Sequence, residues 1–169
     1  MEIRHYPDAV LKKRTRPIEE VTAEVVDRAH EMLEMMYENE GVGLAANQVG
    51  WSRRIVTLDT ELSHAGERIF LNPRIVRAEG HAEDEEGCLS LPGLHLVVPR
   101  AARIAVVAFT LEGKRVEIEA DGLLCRAWQH EMDHLDGLLI VDKVTPTARL
   151  AVRRQLKQLE NEAAAAERS

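Results

Sequence analysis

The spacing of apolar positions divides this chain into helical and extended stretches. From Thr22, "TAEVVDRAHEMLEMMYENEG" sets Val25, Ala29, Met32, Leu33 and Met36 at the three-to-four-residue interval of one helix face. Thr22 suits the start of that helix as N-cap, and Gly41 suits its end as C′. The methionines of this stretch read as core filling. The period then shortens. "RRIVTLDT", "RIFLNPRIV", "RIAVVAFT" and "KRVEIEA" are β-branched or alternating and bounded by turn residues, with "LEGK" joining the last two. The helical period returns in "ADGLLCRAWQHEMDHLDG", with Asp121 placed as N-cap and Gly137 as C′, and again in the amphipathic "TARLAVRRQLKQLENE". The pattern predicts an α+β fold, with small, mostly antiparallel sheets packed around a central helix and further helices toward both ends of the chain.

Size and composition narrow this. A chain of 169 residues suits one domain over 1–169 with its own core, and the low-complexity "ENEAAAAERS" predicts a frayed tail over about 161–169. The composition, 45% hydrophobic and 30% charged, is that of a soluble globular protein. No apolar run approaches a membrane span, and "MEIRHYPDAVLKKR" lacks the apolar core of a secretory signal, so the expectation is a cytoplasmic protein with no membrane partner. The net charge of −7 argues against nucleic-acid binding, sequence-specific binding included, while leaving room for a local basic patch. Cys88 and Cys125 cannot build a disulfide framework, so each is a core residue or a ligand.

The chemistry lies in the second helix. His130 and His134 are one turn apart on a face continued by Ala127 and Leu123, and Glu131 sits about 100° around the helix. H-E-x-x-H supplies two metal ligands and one base from a rigid element, and it also arises by chance with both histidines in a core. A catalytic metal needs a third ligand. The extended pattern of one zinc-peptidase class would require a histidine where Ile140 stands. A second peptidase route needs a later glutamate, and only Glu160, Glu162 and Glu167 remain, near the predicted fraying end. Upstream, "EEGCLSLPG" offers Cys88, whose thiolate with two imidazoles makes a three-ligand set with a fourth position left for water. Taken alone, Cys88 would equally suit a small buried hydrophobe, the role assigned to Cys125.

Three segments in order, "GVGLAANQVG", "EGCLSLPG" and "QHEMDHLDG", resemble the three motifs of the peptide deformylases, and the likeness extends to "YPDAVLKK" and "ADGLLCRAWQHE". The resemblance implies a metal-dependent hydrolase that removes the formyl group from the N-terminal formylmethionine of nascent polypeptides. It implies Cys88, His130 and His134 as metal ligands, Glu131 as the catalytic base, and Gln48 with the backbone N–H of Leu89 as stabilisers of the oxyanion. The implied cofactor is one divalent ion, natively Fe2+, with Zn2+, Ni2+ or Co2+ able to take its place. Substrate contacts fall on Val42, Gly43, Glu86, Gly87, Leu89, Leu123 and Arg126, with the apolar members equally readable as core. His95 stands where some relatives carry a basic residue to hold the peptide. Glu40 and Arg100 resemble the family's buried pair bracing the first motif. The glycines of "GVGLAA" imply a close approach of peptide backbone, since a dinucleotide loop would follow a strand rather than a helix. Arg149, Arg153, Arg154 and Lys157 form a basic face on the last helix, readable as a solvated surface or as a dock for ribosomal RNA. A small zinc metallopeptidase and a non-catalytic metal- or partner-binding domain are the alternatives. The first should tolerate loss of Cys88, and the second has no need of Gln48 and Glu131.

Overall fold

The computed structural model describes residues 1–166 and 168. Its elements run α1 (Ala23–Glu38), β1 (Gly43–Ala45), β2 (Ile55–Leu58), β3 (Ile69–Glu79), β4 (Ala82–Gly87), β5 (His95–Arg100), β6 (Arg103–Phe109), β7 (Arg115–Asp121), α2 (Gly122–Leu135), α3 (Pro146–Ala151) and α4 (Arg153–Ala166). One antiparallel sheet has the order β1-β2-β3-β6-β7, and β4 and β5 form a separate antiparallel ribbon. The four strands foreseen from the sequence are β2, β3, β6 and β7.

The five-stranded sheet is covered on both faces, which is why all four positions of β2 are buried, Thr57 included, rather than alternating. Val56, Leu58, Phe70 and Val106 meet Trp128, Met132 and Leu135 of α2. Ile55, Ile69 and Leu71 point the other way, against Ala29, Met32 and Met36 of α1. A third cluster joins the ribbon, through Leu96 and Val98, to Leu11, Ile140, Val152 and Leu156. The helix that carries H-E-x-x-H packs on the sheet through its apolar side and meets the ribbon through polar bonds of Arg126 and His130.

Three helix ends differ from expectation. Thr22 does cap α1, its hydroxyl accepting from the Val25 N–H, but the left-handed residue at the other end is Glu40 (φ 56°), not Gly41. Gly41 N–H bonds the Met36 carbonyl and Glu40 N–H that of Tyr37, the paired closure of a Schellman motif one residue earlier than predicted. Asp121 occupies the N-cap position of α2 without a side-chain capping bond. The predicted last helix is broken at Val152, a buried residue between α3 and α4. The helix then persists through 166 rather than fraying from 161, while residues 167 and 169 of the expected tail lie outside the described residues.

The ribbon was not foreseen. β4 is "AEDEEG", a composition that disfavours strands, and β5 contains Pro99. Its one buried position in β4 is Glu86, an inversion of the usual apolar-in pattern.

Candidate functional site

β4 ends at Gly87 and the chain turns at once, the Leu91 N–H bonding the Cys88 carbonyl at 2.9 Å. This four-residue turn sets Cys88 at its first position and Leu89 at its second, where the backbone N–H donates to no protein group among the described residues. A second turn follows, closed by Leu94 N–H on the Leu91 carbonyl, with Pro92 and Gly93 (φ +74°) at the centre, the residues a type II turn requires.

The turn delivers the Cys88 sulfur to the two histidines of α2. Cys88 Sγ lies 3.2 Å from His134 Nε2, which lies 3.1 Å from His130 Nε2. The three donor atoms are all within 4.8 Å of one another, so the structure brings Cys88 together with the two histidines. Three convergent donors with no mutual bond capable of satisfying all of them fit a shared metal ion. The glutamates of the peptidase route are elsewhere. Glu160 accepts from Tyr6 and Glu162 from Gln158, and Glu167 lies outside the described residues.

His130 is oriented from behind. Its Nδ1 is 2.9 Å from Glu86 Oε2, while Arg100 grips the same carboxylate with Nε at 2.8 Å and Nη2 at 2.9 Å, and Arg126 adds a bond of 2.7 Å. Burial works against charge on Glu86, but the bonds from Arg100 and His130 outweigh it and hold the carboxyl well below its usual range. An ionised Glu86 only accepts, so Nδ1 of His130 is the donor to it. Burial works against charge on His130, but its bonds to Cys88 and Glu86 outweigh that and raise its pKa well above the usual imidazole range. Nε2 therefore offers a lone pair toward Cys88 and His134 only on giving up a proton. Arg100 is itself held by Asp133 on the far side. Burial, followed by repulsion from His130, lowers the pKa of His134, which favours the neutral ligand form.

Glu131 is 4% exposed, its Oε2 has no hydrogen-bond partner among the described residues, and burial pushes its pKa up to about 7. Gly43 explains how it fits. A Cβ on Gly43 would stand 2.6 Å from Glu131 Oε1 and 2.9 Å from a Leu58 methyl. A side chain at 43 and this carboxylate position exclude one another, so Gly43 makes the room that the Glu131 carboxylate occupies beside the cleft. Gly41 has the related role of admitting Leu89, 3.1 Å from where its Cβ would be.

These groups open into a cleft of about 470 Å3 lined by every residue proposed from the sequence as a substrate contact. Val42 and Leu89 form apolar wall, joined by Leu91, Pro92 and Leu94, which sequence reasoning did not single out. Leu123 is 56% exposed and borders the cleft, not inward as its helix stripe suggested. His95 is exposed opposite Gly87, its ring 3.1 Å from that residue's absent Cβ. Glu86 and Arg126 line the cleft and are also bonded to each other, Glu86 further to His130 and Arg126 to the Val98 carbonyl at 2.9 Å. One expectation needs correction. Glu40 does not pair with Arg100. It is exposed at the left-handed end of α1, and the buried partner of Arg100 is Glu86, which the β4–β5 ribbon brings beside it. Asp133, the other partner of Arg100, was missed because an acidic residue on an exposed-looking helix position carries no local signal.

The sequence matches the polypeptide deformylase family model over residues 1–150. The chain belongs to the polypeptide deformylase family. It is 43% identical over 159 residues to a peptide deformylase of Thermodesulfovibrio yellowstonii, covering 93% of this chain and 96% of that one. It is 41% identical over 162 residues to one of Chromobacterium violaceum, covering 96% and 97%. Among solved structures, the deformylase of Legionella pneumophila superposes with a TM-score of 0.89 at 38% identity, covering 96% of each chain. Deformylase 1B of Arabidopsis thaliana superposes with 0.93 at 30%, covering 98% of this chain and 93% of its own. As a deformylase the protein is a hydrolase that removes the formyl group from nascent polypeptides. No helix is long and apolar enough to cross a membrane.

Proposed function

We propose that in this deformylase Cys88, His130 and His134 hold one divalent ion, Glu131 is the catalytic base, and Gln48 with the Leu89 N–H receives the charge that develops on the formyl oxygen. The observation that carries this is the meeting of one sulfur and two Nε2 atoms in a cleft that also contains the unpartnered Glu131 carboxylate. When bound there, a divalent ion supplies an acidified water and polarises the formyl carbonyl. Glu131 takes the proton that the attacking water gives up and returns it to the departing amine as formate leaves. Its raised affinity for protons, from burial, suits that exchange. Gln48 and Leu89 offer N–H donors already fixed by local bonds, so they need not reorganise as charge develops. The apolar wall of Val42, Leu89, Leu91 and Leu94 suits a methionine side chain.

One thiolate and two imidazoles suit borderline first-row ions and not Mg2+ or Ca2+. Within that group, family resemblance selects Fe2+ as the native ion. The test is formate release from a formyl-Met peptide, using protein prepared without oxygen and reloaded in parallel with iron, nickel or zinc. Release with iron or nickel should vanish on chelation and in Cys88→Ala. Full turnover and metal content in Cys88→Ala would refute the ligand set.

The same reading places the protein in the cytoplasm beside the ribosome. Arg153 and Arg154 are exposed on α4 with no acidic partner among the described residues, while Arg149 and Lys157 are 3.4 Å from Asp142 and Glu160. Docking of this face on ribosomal RNA predicts salt-sensitive co-sedimentation with ribosomes, lost in Arg153→Glu/Arg154→Glu. Equal pelleting of that variant would exclude it.

A further inference from the structure

Gln48 is 2% exposed in a 3₁₀ turn after β1, and its side chain is held at both ends. Its Oε1 accepts from the Ala45 N–H at 2.9 Å, which fixes which end of the amide is which. Its Nε2 then faces two groups of the Cys88 turn, the Ser90 hydroxyl at 3.2 Å and the Cys88 sulfur at 3.7 Å. A primary amide has two N–H donors. Ser90 takes one of them, and the other remains on the Cys88 side of the cleft.

We infer that Ser90 is a positioning residue for catalysis: its buried hydroxyl anchors the Gln48 amide so that the second N–H is presented to the formyl oxygen. This rests on the oxyanion role proposed for Gln48. Ser90 is fully buried, at 0% exposure, and touches neither the cleft nor the metal-ligand cluster. A plain packing role would be served as well by alanine.

The backbone around this contact is arranged to keep it short. Ser90 occupies the third position of the turn that begins at Cys88, so the ligand and the anchor move as one unit. The N-terminal segment ties the two motifs together from outside. Arg4 N–H bonds the Gln48 carbonyl at 2.6 Å, and Tyr6 N–H bonds the Ser90 carbonyl at 2.8 Å. Residues two apart in extended chain face the same way, so Arg4 to Tyr6 acts as a bridge between the loops.

The experiment is a double-mutant cycle on formyl-Met peptide hydrolysis with Ser90→Ala, Gln48→Ala and the double variant, at matched metal content and well below each unfolding midpoint. Ser90→Ala should lower kcat about tenfold, less than the roughly hundredfold that a 1 Å misplacement can cost, with KM little changed. In the Gln48→Ala background the same substitution should cost nothing further. A readout independent of turnover is the side-chain NH2 resonance pair of Gln48 in metal-free protein. Ser90→Ala should shift it and speed its exchange with solvent. If Gln48→Ala retains full kcat, the oxyanion role fails and the inference falls with it. If Gln48→Ala is impaired but Ser90→Ala is not, or if the two losses multiply in the double variant, Ser90 is packing alone and the inference is overturned. Should Ser90→Ala not fold, Ser90→Gly and the exchange measurement on the Gln48 amide decide the same question.

Discussion

Glu131→Gln should leave the protein folded and able to take up a divalent ion, while kcat for formyl-Met peptide falls by about 10^2–10^4-fold, the span general acid–base catalysis supplies. The substitution keeps the shape of the side chain. Glu131 lies against the Gly43 backbone, with Oε1 2.6 Å from where a Cβ of residue 43 would stand, so an isosteric amide fits the same niche. It also gives the unpartnered buried oxygen no new obligation that the cleft cannot meet, since the residue lines that cleft. What is lost is the ability to accept and return a proton. Turnover should be compared with metal content measured on the same sample. Near-wild-type turnover at full metal occupancy would remove Glu131 from the role of base.

Arg100→Ala should be the most damaging substitution for stability. Arg100 is 5% exposed and satisfies Glu86 with a two-pronged bond while reaching Asp133 on the other side. Removing one partner of a buried ion pair leaves an uncompensated charge and costs about 3–5 kcal/mol. Arg126 still holds Glu86 Oε1 at 2.7 Å, which places the loss toward the lower end of that range. The effect should extend to the metal site, because Glu86 is what orients His130, and loss of such outer partners weakens metal affinity about 10–100-fold. Arg100→Lys should recover only part of this, since an ammonium cannot reproduce the planar fork. Urea unfolding and a metal titration read the two effects separately. An unfolding free energy within about 1 kcal/mol of wild type would show that Arg126 alone can carry Glu86.

Much of this arrangement was legible in the chain, and the reason is locality. A helix face depends on spacings of three and four residues, so α1 and the H-E-x-x-H face of α2 are written into neighbouring positions. β2, β3, β6 and β7 likewise declare themselves by composition and period. The donor set was accessible too, because metal ligands are drawn from few residue types and Cys88 was the one upstream thiol outside α2. The motifs then identified the family without any knowledge of distance.

What only the tertiary structure decided concerns charges and glycines whose partners are distant in sequence. The motif resemblance pairs Glu40 with Arg100. The ribbon instead sets Glu86 beside Arg100, His130 and Arg126. Nothing in "AEDEEG" distinguishes the one buried carboxylate from its exposed neighbours, since the compensation for burying it comes from residues up to 44 positions away. Gly43 is similar: that its missing side chain makes room for the Glu131 carboxylate, on another element, cannot be read from its neighbours in sequence. Ser90 gave no signal at all, because a hydroxyl becomes an anchor only when an amide from another loop is brought against it. Sequence determined the main helices, the strands β2, β3, β6 and β7, and much of the chemical cast of the site. Packing determined who partners whom, because a buried polar group takes its role from the atoms that satisfy it.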